Sequence, residues 1–277
     1  MPSRSLFAAF SSAVLAIVFI TFFATYTSAA NDPSTRPMTF ILVSDGDCSV
    51  ECVQWVSAEG RITRSTPARF AVFLERLKNR KLPVVIQSRG GDVDAALAIG
   101  RMIRNAGLDT AIGRTQLNDC PMLDPRCTAK TVKSGWSSGT VHSGGAYCFS
   151  ACPFIVAGGV VRATATNAYI GLHQIMNGKK DSNYGPAHKR NLDAISTRKD
   201  DLEKKELAKY FDTMGVRSGD IFAIMGLATP NGMYNVLHAE AVKTGLITKI
   251  YSLSEEPGFV YKPTQSKMPE QNTKAKG

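Results

Sequence analysis

Short apolar runs alternate with amphipathic stretches over most of the chain, and their periods predict its elements. Thr39–Ser44 is apolar and β-branched and reads as a strand, and Val53–Ala58 reads as a second. Thr66-Pro67 then opens a helix whose apolar positions, Phe70, Phe73, Leu74 and Leu77, fall at steps of three and four. After Pro83, Val84–Ser88 is a brief, nearly continuous apolar strand of the buried parallel type. Arg89-Gly90-Gly91-Asp92 follows, with Asp92 as a natural N-cap. The next helix carries Val93, Ala96, Leu97, Gly100 and Ile103 on one face and ends at Gly107. Thr110–Gly113 returns as a strand, so the unit predicts a right-handed crossover in a parallel sheet.

Beyond it the pattern breaks. Arg114–Ser143 is rich in Gly, Ser, Thr and Lys, lacks periodicity and reads as an inserted surface loop. Ala146–Ala157 is a continuous apolar run, stopped by Gly158-Gly159, whose length suggests a buried helix. Tyr169–His173 reads as a strand ending in histidine. Ala187–Met214 reads as a long charged helix with Leu192, Ile195, Leu202 and Leu207 among its few apolar positions. A helix over Ser218–Leu227 and strands at Met233–Leu237 and Leu246–Tyr251 complete the body, with a short helix at Ala239–Val242. The Lys-, Pro- and Gln-rich tail from 253 reads as disordered.

Residues 1–30 change the picture. Arg4 precedes a charge-free stretch, 6–26, and Ser28-Ala29-Ala30 offers small residues where a signal peptidase reads. The stretch is close to the ~20 residues that span a bilayer, so a cleaved signal and an uncleaved anchor are both open. Either places the body outside the cytoplasm, in the periplasm or extracellular space. Residues 31–50 are a linker and first strand, and 51–252 form one α/β domain. The net charge of +10 fits a solvated surface or a weak affinity for acidic polymers or anionic lipid. No zinc-finger spacing, helix-turn-helix or aromatic-basic pattern suggests nucleic acid. The cysteines pair by proximity as Cys48/Cys52, Cys120/Cys127 and Cys148/Cys152, which suggests disulfides in an oxidising compartment. None has the C-x-x-C spacing of a zinc site, so no metal or cofactor is expected. Read as an i, i+4 pair within one helix, Cys148 and Cys152 would strain a disulfide, so they are expected as buried thiols or strained partners. Cys120–Cys127 and, less directly, Cys48–Cys52 are the disulfide candidates.

Three segments, in order, resemble the Clp-protease/crotonase superfamily. Ile86-Gln87-Ser88-Arg89-Gly90-Gly91 with its helix is similar to the family's strand–SPGG–helix. Cys148-Phe149-Ser150-Ala151-Cys152 is similar to its nucleophile helix, and Ile170-Gly171-Leu172-His173-Gln174 to its histidine strand. Weaker matches are Glu59-Gly60-Arg61-Ile62 and Ala239-Glu240-Ala241-Val242 with Gly245-Leu246-Ile247. The resemblance implies a spiral of ββα units and an exported serine hydrolase, a peptidase acting on a peptide or ester. Ser150 would be its nucleophile and His173 its base, with backbone N–H groups of Gly90 or Gly91 and of Ala151 as an oxyanion hole. It also implies a homo-oligomer formed through the long charged helix. Departures are Arg89 for the family's proline, Gly145 one residue out of register before the serine, and no carboxylate near 228–232 where the family's aspartate falls. Asn231 is the available orienting residue, while Lys130, Lys133 and Lys179 are nominal partners for a Ser–Lys dyad. A degenerate crotonase-fold binding or scaffolding protein is the rival reading, whereas an acyl-CoA enzyme does not suit an exported chain.

Overall fold

The computed structural model of the chain describes residues 33–48, 51–118, 135–177, 190–191 and 198–251. Lys130, Lys133 and Lys179, Cys120 and Cys127, the leader and the tail lie outside them. Among the described residues no helix is long and apolar enough to cross a membrane.

The protein is a mixed α/β structure around one eight-stranded sheet. In chain order the strands are β1 Thr39–Asp47, β2 Glu51–Glu59, β3 Val84–Gln87, β4 Thr110–Ile112, β5 Arg114–Leu117, β6 Trp136–His142, β7 Tyr147–Phe149, β8 Arg162–Ala165, β9 Tyr169–Leu172, β10 Met176–Asn177, β11 Arg190–Asn191, β12 Tyr234–Asn235 and β13 Lys249–Tyr251. The helices are α1 Thr66–Leu77, α2 Val93–Ala106, α3 Cys152–Ala157, α4 Arg198–Thr213, α5 Ser218–Met225 and α6 His238–Thr244. The large sheet runs β13-β8-β4-β3-β2-β1-β6-β5, antiparallel only at β2–β1 and β6–β5. A small sheet, β12-β9-β7, stands beside it, joined through a bridge from Ser88 to Cys148.

Strand alternation divides the core. Leu42, Val56, Val84, Ile86 and Ile112 face the helices, while Ile41, Val43, Trp55, Val85 and Ala111 fill the opposite face. On α1, Phe70, Phe73 and Leu77 are buried at the spacing the sequence offers. Burial of each such side chain contributes about 1.5–3 kcal/mol. Asp92 caps α2 by accepting from the Ala95 N–H at 2.9 Å, and Gly107 ends it in the left-handed region.

Three sequence expectations are corrected. The stretch 114–143 is not simply a loop: its ends are β5 and β6, paired antiparallel, with β6 also parallel to β1. Along β6 the inward positions are Ser137, Gly139 and Val141. Small polar residues therefore occupy places where apolar ones would have announced a strand. A Cβ on Gly139 would lie 2.5 Å from the Gln116 carbonyl oxygen, so the close pairing requires glycine there. The apolar run 146–157 is strand, turn and short helix rather than one helix, because Pro153 in the first turn favours a helix start at that point. The long charged helix does not begin at Ala187. Arg190–Asn191 pairs with Met176–Asn177, and α4 runs from Arg198. Its apolar residues Leu207, Tyr210 and Phe211 pack into this chain's own core, while the exposure of Leu192, Ile195 and Leu202 lies outside the described residues.

Cys148 and Cys152 form a disulfide with Cα atoms 5.2 Å apart, and Cys48–Cys52 closes the end of the β1–β2 hairpin. The helical strain expected for the first pair does not arise, because Cys148 lies within β7 and Cys152 begins α3.

Glu59, at the end of β2, accepts the Thr115 N–H at 2.5 Å. Burial pushes its carboxyl from the ordinary 4.5 up to about 7, against the smaller opposing effects of that hydrogen bond and of Arg114. A folded-state value above the unfolded one means that the cost to stability is absent below pH 4.5. It grows between the two values and is complete above pH 7, where it reaches roughly 3 kcal/mol at most. Glu59→Gln keeps the acceptor for Thr115. It is expected to raise stability to urea at pH 8 by about 1–3 kcal/mol and to change it little at pH 4. Equal gains at both pH values would contradict this origin.

Candidate active site

Register brings Ser150 and His173 together. Strands β7 and β9 are parallel neighbours with Cys148 opposite Ile170 and Phe149 opposite Gly171. Each strand is followed at once by its polar residue, Ser150 one step and His173 two steps beyond that last pair. The Ser150 N–H donates to the Gly171 carbonyl at 2.9 Å, closing the strand end. There the chain turns sharply: Ser150 has φ 62°, in the left-handed region that non-glycine residues enter at a cost of about 1–2 kcal/mol. The turn lifts the hydroxyl out of the sheet toward a cavity, while Cys148 and Cys152 on either side are fully buried. The disulfide thus spans the turn.

The Ser150 Oγ and His173 Nε2 are 2.7 Å apart. On the other side of the ring, Nδ1 lies 2.7 Å from the Gln174 carbonyl oxygen. A carbonyl can only accept, so Nδ1 carries the proton of the neutral ring and Nε2 presents its lone pair to the serine hydroxyl. Asn231 lines the same cavity, but the partner of Nδ1 is the backbone of Gln174.

Gly90 and Gly91 approach from the end of β3, with φ values of 90° and 145°. A Cβ on Gly90 would sit 2.7 Å from the Ser150 Cβ and 2.8 Å from the Ala151 nitrogen, so this backbone rests directly against the serine turn. The Gly90 N–H is occupied, donating to the Ser88 Oγ at 3.0 Å, and Ser88 in turn donates to the Gly60 carbonyl at 2.6 Å. Neither the Gly91 nor the Ala151 N–H has an acceptor among the described residues. Of the two glycines, Gly91 is therefore the one with a donor to spare. Its conformation is held by Ile62, whose N–H donates to the Gly90 carbonyl and whose carbonyl accepts from the Asp92 N–H, each at 3.0 Å.

Ser150, Ala151, His173, Gly90 and Gly91 border one open cavity of about 550 Å³, with Val93, Phe154 and Ile175 as an apolar wall. The two charged residues of the cavity, Arg61 and Arg89, had no functional reading in the sequence. Among the described residues no group of His, Cys, Asp and Glu is placed to hold a metal ion.

No family model matches the chain, and no curated protein matches it. Among solved structures it is similar to a mutant of the 1510-N membrane-bound stomatin-specific protease, at 16% identity and a TM-score of 0.44, over 70% of this chain and 77% of that one.

Proposed function

We propose that this chain is an exported serine hydrolase of the Clp-protease/crotonase type, a peptidase in which Ser150 is the nucleophile and His173 the base. The observation that carries the reading is the 2.7 Å approach of Nε2 to Oγ, with the ring's other nitrogen tied to a carbonyl so that the basic nitrogen faces the serine. The order of strand, glycine turn and helix, then strand, serine turn and helix, then strand and histidine supports the family placement. Two disulfides fit an oxidising compartment.

In this mechanism Oγ attacks the carbonyl carbon of a peptide or ester while its proton passes to Nε2. The oxyanion is held by the Gly91 and Ala151 N–H groups. The imidazolium then gives its proton to the departing amine or alcohol, leaving an acyl-serine. Water enters, loses a proton to Nε2, attacks the acyl carbon and releases the acid with return of the proton to Oγ. A neutral carbonyl behind Nδ1 stabilises the imidazolium less than a carboxylate would, so turnover is expected to be slow. That same absence of a carboxylate favours the rival reading, a binding protein that retains the constellation.

Labelling with a fluorophosphonate separates the two. The wild-type chain is expected to form a covalent serine adduct, mapped to the peptide containing Ser150, and Ser150→Ala to form none. Absence of labelling in the folded wild-type chain would sink the hydrolase.

A further inference from the structure

Arg61 and Arg89 are exposed, both border the catalytic cavity, and among the described residues no Asp or Glu borders it with them. Neither guanidinium has a carboxylate partner among the described residues. The nearby Asp92 is engaged by Arg64 at 3.5 Å and by its cap on α2. Both arginines are mounted on the backbone that shapes the oxyanion turn. Arg89 immediately precedes Gly90, and its guanidinium carbon lies 6.0 Å from the centre of the Tyr147 ring, which keeps it beside the small sheet. Arg61 immediately precedes Ile62, the residue bridged to Gly91. Two positive charges without a carboxylate partner among the described residues therefore border the cavity that would receive the scissile carbonyl. Such a cavity attracts and orients an anion, and rejects a cation, more than it alters the chemical step.

We propose that this cavity selects acidic peptides, taking a substrate or ligand carboxylate next to the reacting carbonyl on Arg61 and Arg89. The position relative to the bond cleaved rests on the hydrolase reading, whereas the charge preference does not. Each exposed arginine–carboxylate pair is expected to change affinity about three- to fivefold, and the two together about tenfold, at low salt.

The test uses the full chain carrying Ser150→Ala, so that binding is read without turnover. Two Ala-rich octapeptides with blocked ends and the same uncharged dye, one with two central Glu and one with two central Gln, are titrated by fluorescence anisotropy at 50 and 500 mM salt. The Glu peptide is expected to bind about tenfold more tightly at 50 mM, with most of the preference gone at 500 mM. Adding Arg61→Gln and Arg89→Gln together is expected to bring the two peptides within about twofold. Arg76→Gln, on the far end of α1 and away from the cavity, should keep the preference and controls for the overall positive charge. Equal binding of the two peptides, binding of neither, or a preference that survives loss of both arginines would each overturn the inference. Because Ser150 is already absent, failure of the fluorophosphonate experiment leaves this result readable, and the reverse holds as well.

Discussion

His173→Ala is expected to lower hydrolysis of an activated ester by roughly 10²–10⁴ while leaving the fold intact. The argument is geometric before it is chemical. Nε2 is already at hydrogen-bond distance from Oγ, and among the described residues no other ring or amine lies within that distance of the hydroxyl. An unassisted serine hydroxyl is a poor nucleophile, so loss of the acceptor leaves only the oxyanion donors and binding to act. The ring is half-buried and its two polar contacts are with the Ser150 hydroxyl and a neighbouring carbonyl, so its removal should cost little stability. Imidazole added to the variant should restore part of the rate by occupying the vacated space, which a merely structural role would not produce. A variant as active as wild type, beside an inactive Ser150→Ala, would remove His173 from the mechanism.

Gly91→Ala is expected to damage both fold and site. With φ at 145°, a Cβ there would lie 2.0 Å from the Ile62 carbonyl oxygen and 2.9 Å from its carbon. Both atoms are backbone, held by hydrogen bonds to the turn itself, so no rotamer change relieves the contact. Either the turn moves, taking the Gly91 N–H away from the serine, or Ile62 moves and its two bonds to the turn break. A loss of about 3–5 kcal/mol follows, enough to lower the melting temperature by roughly 10 °C or to prevent folding. Gly144→Ala is the comparison. Its Cβ would meet only the Asn167 side-chain nitrogen at 3.5 Å, an ordinary contact, and little change is expected. If the two variants melted together, the turn would not have the backbone described.

Where one period covered a whole element, the sequence was readable. The crossover from β3 through α2 to β4 was plain because its helix face, its cap and its glycine stop agree with one another. Ser150 and His173 were legible only as members of an order, and their meeting depends on β7 lying beside β9 in register, which no local pattern states. The run 146–157 misled because a continuous apolar segment has no period, so a buried strand and turn are indistinguishable from a helix. β6 was missed because two of its three inward positions are Ser137 and Gly139. The partner of Nδ1 could not be read at all: it is a main-chain carbonyl, and every residue has one. Arg61 and Arg89 are far apart in the chain and become neighbours of one cavity through the Ile62–Gly91 bridge.

One contact deep in the protein bears on how such a site could have diversified. α2 and α3 cross with no side chains between them at Gly100 and Gly158, where a Cβ on Gly158 would fall 2.3 Å from the Gly100 carbonyl oxygen. The Tyr210 hydroxyl and the Arg104 guanidinium fasten the same crossing by donating to the Phe154 and Gly158 carbonyls, at 2.5 and 2.9 Å. α2 begins just after Gly91, and α3 just after Ser150. Gly91 and Ser150, the proposed oxyanion donor and nucleophile, are therefore carried on two arms of a single pinned joint. The connection between β5 and β6 can therefore lengthen, shorten or change its composition without altering the distance across the site. Variation in that stretch is free to explore new surfaces while the chemistry stays where the joint holds it.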